Sequence, residues 1–364
     1  MIDSSAIERL RPIGLNPALI QQLAATAADK EDTDPATVLL RVVEVQREGI
    51  TLHDGVSEHP GRLLPALRNA LAADGEAIAV GDWVLAGRNA LGEWWAYHRV
   101  PPLNQLARRL HDGRDKVTRV VIVSNVDTAL LVMGLDHDFS LRRLERFVAL
   151  AQMAHVTPVV VLSKADLCAD APARVAEVQA LLPAQSAVVA VNALSCDACT
   201  ALAPWLQCGQ TVVLLGSSGT GKSTLTNTLV GSGVAGTGAN RSKDSRGRHT
   251  TTSRSLHRTA GGACIIDTPG LRTLRLDGDA AGLGEAFADV AQLAGGCRFR
   301  DCRHADEPGC AVRGTVSDER LNNYNKLLRE ARRDTLTALE RKVQVQQWKA
   351  RGRQARIRAD MKRG

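Results

Sequence analysis

Gly216-Ser217-Ser218-Gly219-Thr220-Gly221-Lys222-Ser223 is the stretch whose reading decides the fold. It fits the pattern G-x-x-x-x-G-K-[ST], and its flanks fit as well. The apolar run Thr211–Leu215 reads as a buried strand, and Leu225 to Val230 continues as an amphipathic helix. The glycines let backbone N–H groups turn toward phosphate oxygens, and the helix start adds the positive end of its dipole. Lys222 is placed to reach the β- and γ-phosphates and the Ser223 hydroxyl to ligate Mg2+; Thr224 belongs with the same nucleotide-binding set. Strand, glycine loop and helix in this order imply a nucleoside triphosphate site.

Downstream, glycines at 231, 233, 236 and 238 lead into a polar, basic run from Arg241 to Thr252. A hairpin is expected over 253–259 and 264–267, turning at Gly261-Gly262 and ending in Asp267-Thr268-Pro269-Gly270. That is D-x-x-G: Asp267 would hold Mg2+ and the Gly270 amide would sense the γ-phosphate. A second Mg2+-ligating hydroxyl would come from Thr250 or Thr251, and spacing does not choose between them.

Upstream, strands and helices alternate from about Val117. Strands are expected at 120–124, 129–133, 158–162 and 187–191, with a helix over 140–154, which implies a mainly parallel sheet. Ser163-Lys164-Ala165-Asp166 closes one strand and Asn192-Ala193 another. A carboxylate at Asp166 can accept two hydrogen bonds from guanine that adenine cannot donate, and the Lys164 stem can lie across a base. A backbone N–H at Asn192-Ala193 can meet guanine O6. Ser163 stands where Asn or Thr is usual, so an amide that would brace the loop is lost and weaker guanine affinity is expected.

The order of these motifs is informative. A conventional GTPase runs P-loop, switch Thr, D-x-x-G, [NT]-K-x-D, then the S-A loop. Here the guanine motifs precede the P-loop and nothing like them follows residue 270. Cutting the chain after D-x-x-G and joining the old ends builds the same sheet, so the domain reads as a circular permutation.

Around this domain, five short strands in 35–104 suggest a small barrel such as an OB-fold: 38–45, 50–53, 61–66, 78–85 and 94–100. Gly81-Asp82-Trp83-Val84 is a turn entering a strand, and Trp94, Trp95 and Tyr97 either stack on unpaired bases or fill the barrel. Pro101-Pro102 reads as a stiff connector. Cys297, Cys302, His304 and Cys310 lie within fourteen residues and suit a closed, structural tetrahedral Zn2+ site. Cys196 and Cys199, with Cys208, are a weaker rival set, and Cys168 and Cys264 read as core thiols.

The permuted motifs, Gly81-Asp82-Trp83-Val84, Asn125-Val126-Asp127, Gly247-Arg248-His249-Thr250-Thr251-Thr252 and the cysteine knot resemble the ribosome small subunit-dependent GTPase A family of bacterial assembly factors. The resemblance covers nearly the whole chain, with Ser163 the main departure. It implies an OB-fold, a permuted GTPase domain and a zinc domain. It also implies binding to the small (30S) ribosomal subunit and its rRNA late in maturation, with GTP hydrolysis to GDP stimulated by that particle. In Ras-like enzymes a Gln follows D-x-x-G, but Leu271 stands there and cannot orient water. His249 is the candidate, and the resemblance assigns the matching His a catalytic role, beside Lys222 and the threonines.

The chain of 364 residues carries +7, yet 341–364 alone carries nine Lys/Arg against Asp360, leaving the rest near −1. A near-neutral body with a basic tail fits a polyanion binder such as rRNA, against the plainer reading of a solvated charged helix. No segment approaches eighteen uninterrupted apolar residues, so no membrane span is expected. Met1-Ile2-Asp3-Ser4-Ser5 does not begin a signal peptide, and with eight cysteines read as ligands or buried thiols a cytoplasmic monomer is expected. The expected division is an N-terminal arm (1–34), barrel (35–104), permuted GTPase domain (105–280), zinc-binding helical domain (281–340) and basic tail (341–364). The competing functions are a P-loop ATPase or kinase, and a non-catalytic RNA-binding protein stabilised by nucleotide.

Overall fold

The computed structural model describes residues 3–28, 37–111, 117–183, 186–231, 254–268 and 280–335. His249, Thr250, Thr251, Gly270 and the basic tail lie outside them. Helices α1 (Ser4–Leu10) and α2 (Pro17–Ala28) open the chain. The barrel follows as β1 (Val38–Val45), β2 (Ile50–His53), β3 (Glu58–Leu63), α3 (Pro65–Ala73), β4 (Trp83–Arg88) and β5 (Trp94–Arg99). Its strands run β1-β2-β3-β5-β4, and β4 pairs back onto β1 through Leu40↔Val84, so the sheet closes into the five-stranded barrel expected. Leu40, Val42, Leu52, Val84 and Ala96 fill it.

Two expectations here are corrected. The strand expected at 61–66 is the end of β3 followed by α3. Pro65 occupies the first helical turn, where its missing N–H costs nothing, and Leu67 and Leu71, four apart, bury one helix face. The strand expected at 78–85 starts only at Trp83, because 78–82 forms the turn that carries the buried Asp82.

Beyond Pro101-Pro102, β6 (Gln105–His111) and β7 (Val117–Ser124) form a two-stranded antiparallel sheet. β6 was not expected: its arginines break the apolar alternation that marks a strand.

The nucleotide-binding layer is then built from β8 (Thr128–Gly134), α4 (Leu141–Met153), β9 (Thr157–Ser163), α5 (Ala171–Leu181), β10 (Ala187–Val191), α6 (Asp197–Leu202), β11 (Thr211–Leu215), α7 (Lys222–Val230), β12 (Ser255–Arg258) and β13 (Cys264–Asp267). Strand order is β10-β9-β8-β11-β13-β12, parallel except for β12. β8 and β11 are buried along their whole length, which is why both read as unbroken apolar runs rather than alternating ones. β12 joins the barrel by one pair, Glu44↔Ser255. The C-terminal part is α8 (Ala280–Ala286), α9 (Ala288–Ala294), the cysteine-rich loop and α10 (Asp318–Thr335).

Candidate functional site

The P-loop leaves the C-terminal end of β11 between β8 and β13. Gly216 passes so close to β8 that a Cβ there would sit 2.3 Å from the Val132 carbonyl oxygen, which no side chain tolerates. Lys222 is buried at the start of α7, and its Nζ donates to the carbonyls of Gly216 (2.8 Å) and Ser217 (2.5 Å). Thr220 Oγ1 donates to the same Ser217 carbonyl at 3.0 Å. Ser218, Ser223 and Thr224 are half-buried or exposed around the mouth. Asp267 ends β13 in register with Leu214, two residues before the loop begins, and Thr268 Oγ1 donates to the Leu214 carbonyl at 2.6 Å.

Both loops expected to read guanine reach this point. A Cβ on Gly221 would lie 3.8 Å from Ala193 Cβ and 3.8 Å from Ser163 Oγ, so three segments distant in sequence meet within van der Waals contact. Ser163 braces the P-loop through its hydroxyl, which donates to the Thr220 carbonyl at 2.7 Å. Lys164 sits in the left-handed region at φ 60°, with Nζ on the Gly219 carbonyl at 2.9 Å. Asp166 is exposed one turn beyond. The Asn192-Ala193 turn is closed by Asn192 Oδ1 accepting the Leu194 N–H at 2.9 Å and is tied to α7 by Thr228 Oγ1 donating to the Ala193 carbonyl at 2.7 Å.

Three residues at this site belong to no nucleotide motif: Asp136, Asp138 and Arg143. Lys164 Nζ pairs with Asp136 at 2.6 Å, and Arg143 Nη1 pairs with Asp138 at 2.5 Å while donating to Ser217 Oγ at 2.6 Å. Burial alone would raise Asp136, but the Lys164 hydrogen bond, the Asp138 amide and the charges of Lys164 and His137 together outweigh it and hold the carboxyl below its ordinary value. The available signal was two carboxylates two positions apart just beyond a buried strand, beside a loop rich in phosphate-binding groups.

The permuted strand order, the P-loop and the convergent guanine loops now stand together. A family model described as RsgA GTPase matches residues 102–277. A Vibrio vulnificus protein named Small ribosomal subunit biogenesis GTPase RsgA 2 is 42% identical over 349 residues, which span 94% of each chain. The chain belongs to the RsgA GTPase family. A Xylella fastidiosa (strain M23) protein named Small ribosomal subunit biogenesis GTPase RsgA is 46% identical over 295 residues, 79% of this chain and 86% of that one. Among solved structures, YjeQ from Thermotoga maritima superposes with a TM-score of 0.59 at 23% identity, covering 81% of this chain and 98% of that one. YloQ, described as a circularly permuted GTPase, gives 0.58 at 21% identity, covering 85% and 99%. At these identities the two structures speak for the fold alone. Like other RsgA-family members this chain is a GTPase, with a permuted nucleotide-binding domain behind an N-terminal barrel.

A second cluster lies in the C-terminal part. The ligand atoms of Cys297, Cys302, His304 and Cys310 all fall within 4.8 Å of one another, the one such group among the described residues. His304 Nδ1 is 3.6 Å from Cys297 Sγ and 3.5 Å from Cys310 Sγ. A tetrahedral metal with bonds of ordinary Zn–S and Zn–N length would space S and N about 3.6 Å apart. Backbone N–H groups of Ala311 and Arg313 point at Cys297 and Cys310 sulfurs, each at 3.4 Å, as they do toward metal-bound thiolates. Without a cation the thiols conflict. Burial works against it, but the Arg313 and Val312 amides and the His304 ring bring Cys310 down to about 6. The His304 amide lowers Cys302, but burial and the Cys310 and Cys297 sulfurs push it up to about 11. This donor set could hold a metal ion such as zinc. Cys196, Cys199 and Cys208 form no such group.

Proposed function

We propose that this RsgA-family GTPase hydrolyses GTP to GDP and phosphate in late maturation of the small ribosomal subunit, binding its rRNA and stimulated by the particle. The observation that carries the nucleotide reading is the meeting of Ser163, Ala193 and Gly221 at one point. Gly216, Ser217, Ser218, Gly219, Thr220 and Gly221 cradle the phosphates with backbone N–H groups, Lys222 donates to the β- and γ-phosphates, and Thr224 borders the loop. Asp166 accepts the guanine N1–H and 2-amino protons, Lys164 covers the base, and the Asn192-Ala193 turn donates a backbone N–H to O6.

Ser223, Asp267 and one of Thr250 and Thr251 supply hard oxygen donors suited to Mg2+. When bound, Mg2+ neutralises charge developing on the β- and γ-phosphate oxygens. His249 positions the attacking water, since Leu271 offers no hydrogen bond there. Cys297, Cys302, His304 and Cys310 hold a structural Zn2+ with no open position.

The barrel supports the rRNA reading. Trp94 lies against His59 with ring centroids 5.6 Å apart and planes tilted by 38°, and the Arg88 guanidinium lies 4.8 Å over the same indole. A cation, an indole and an imidazole clustered on the barrel surface offer contacts for a base and its phosphate. The division into arm, barrel, GTPase domain, zinc domain and basic tail at 1–34, 35–104, 105–280, 281–340 and 341–364 belongs to this reading, as do a cytoplasmic location and a monomeric state. No described helix is long and apolar enough to cross a membrane.

The test is GTP hydrolysis by the purified protein, alone and with small ribosomal subunits, with ATP as the control. Stimulation confined to GTP, and abolished by His249→Ala with binding retained, is expected. Equal rates with and without subunits would remove the ribosome as activator.

A further inference from the structure

The segment Gly134-Leu135-Asp136-His137-Asp138 ends β8 and turns into α4, outside every nucleotide motif. Asp136 folds back on itself: its Oδ1 accepts the Asp138 N–H at 3.0 Å, leaving Oδ2 for Lys164 Nζ at 2.6 Å. A Cβ at Gly134 would come within 2.8 Å of Asp136 Oδ1 and push that carboxylate out of its place. The same Lys164 ammonium donates to the Gly219 carbonyl in the middle of the P-loop. Two residues along, Asp138 takes both ends of Arg143: Nη1 on Oδ1 at 2.5 Å and Nη2 on the backbone carbonyl at 3.1 Å. Arg143 Nη1 then reaches Ser217 Oγ near the start of the P-loop. Two carboxylates thus hold two cations, and each cation grips the loop at a different residue.

We propose that Asp136 and Asp138 are positioning residues for the nucleotide, Asp136 acting through Lys164 and Asp138 acting through Arg143. The inference rests on the reading of Gly216–Ser223 as the GTP site. A lysine or arginine on a free stem loses rotamer freedom when a ligand fixes it. A carboxylate that fixes the stem beforehand moves that loss into folding, so less of it is charged against binding. The two arms do different things. Lys164 touches both the P-loop and the site where the base is read, so Asp136 couples phosphate and base ends. Arg143 is neutralised by Asp138, so it shapes the loop rather than attracting phosphate. The second oxygen of Asp138 is buried with no hydrogen-bond partner among the described residues, which leaves Arg143 as its compensating charge.

The experiment measures GDP and GTP affinity by fluorescence titration of the full chain, with thermal denaturation beside it. Asp136→Asn keeps the turn-closing acceptor and removes the charge; it should weaken both nucleotides about tenfold, the worth of one charge-assisted hydrogen bond. Asp138→Asn should weaken them about threefold, because its arm holds only the loop. Each effect should vanish when its cation is already gone, so Asp136→Asn adds nothing to Lys164→Ala, and Asp138→Asn adds nothing to Arg143→Ala. Across arms the effects should add. A merely structural role would lower the melting temperature and persist in the cation-less backgrounds, which overturns the inference. Unchanged affinities in both aspartate variants overturn it as well. A wild-type chain that binds neither GDP nor GTP overturns the site reading and the inference together.

Discussion

Where the barrel meets the nucleotide-binding sheet, a single arginine is sealed from solvent; where the C-terminal helices meet α4, several charged side chains border the contact. Arg41 on β1 is 0% exposed. It donates to the Ile13 carbonyl of the N-terminal arm, to the Asn125 carbonyl (3.3 Å) and to Thr211 Oγ1 (2.9 Å), the first residue of the P-loop strand. Its acceptors come from the arm, the turn after β7 and β11, so one side chain fixes three segments at once. Burial lowers the Arg41 pKa, against the pull of Cys264, Asp127 and Asp82. Arginine stays charged regardless, so the cost of burying it is met only while every acceptor stays in place.

On the other side, Arg320 of α10 pairs with Glu145 of α4 (2.5 Å) and Asp289 of α9 (2.7 Å), Asn323 bonds Glu145, and Arg146 pairs with Glu330 (2.5 Å). Asp289 is 42% exposed and Arg146 and Glu330 are partly wet, so water and salt can compete for their pairs, whereas Glu145 is buried against Arg320. The difference teaches which neighbour can move. The barrel is held to the P-loop strand by contacts that have no solvated alternative, whereas the C-terminal helices share an apolar core with α4, Phe287 and Leu327 beside Phe147 and Leu150, and only the pairs at its margin can be exchanged.

Four experiments would break or sharpen that contrast. Stripping metal with a chelator, or Cys302→Ser, should have the largest effect, because metal binding and folding of such a loop are one event worth about 10 kcal/mol. Amide exchange should rise over 297–316 while the barrel and α1 stay protected; protection unchanged throughout would deny the cluster a metal. Arg41→Met should cost about 4 kcal/mol in denaturant unfolding, since it orphans the buried acceptors of Ile13, Asn125 and Thr211. Exchange in α1 and α2 should rise with it.

Asp82 tests the same junction through pH. Burial raises its pKa from 3.8 to about 6, against the pull of Arg99 and the Ala79 amide. The folded protein therefore holds this proton to a higher pH than the unfolded chain does, and stability should fall as pH rises from 3.8 to about 6 and then level off. Asp82→Asn should remove that component and add about 3 kcal/mol at pH 7; an unchanged pH profile would refute it. The smallest effect belongs to Arg146→Ala, about 1 kcal/mol, felt as faster exchange in α10 and partly reproduced in wild type by added salt, since its pair with Glu330 is partly exposed. If Arg146→Ala loosened the barrel as much as α10, the contrast between the junctions would fail.

Much of this was legible in the chain because its signals are local. The P-loop, the two guanine loops and D-x-x-G each combine backbone geometry with a few side chains inside one turn, and their reversed order announced the permutation. The cysteine knot was legible for the same reason: its four ligands sit within fourteen residues. β6 and α3 were missed where pattern and position disagree. Arg108 and Arg109 interrupt one apolar alternation, and Leu63-Leu64-Pro65 looks like a strand until Pro65 starts a helix.

The sequence by itself determined the family, the order of the nucleotide motifs and the four residues whose cluster could hold a metal. Tertiary structure alone decided what lies between motifs. It placed Asp136 and Asp138 behind the P-loop, turned Ser163 into a brace on Thr220, and gave the N-terminal arm its place over Arg41. None of those contacts is local: Ser163 and Thr220 are 57 residues apart, and Arg41 and Thr211 are 170. Periodicity and spacing report what neighbours in the chain can do together, whereas a contact made across the sheet exists only once the strands are in register.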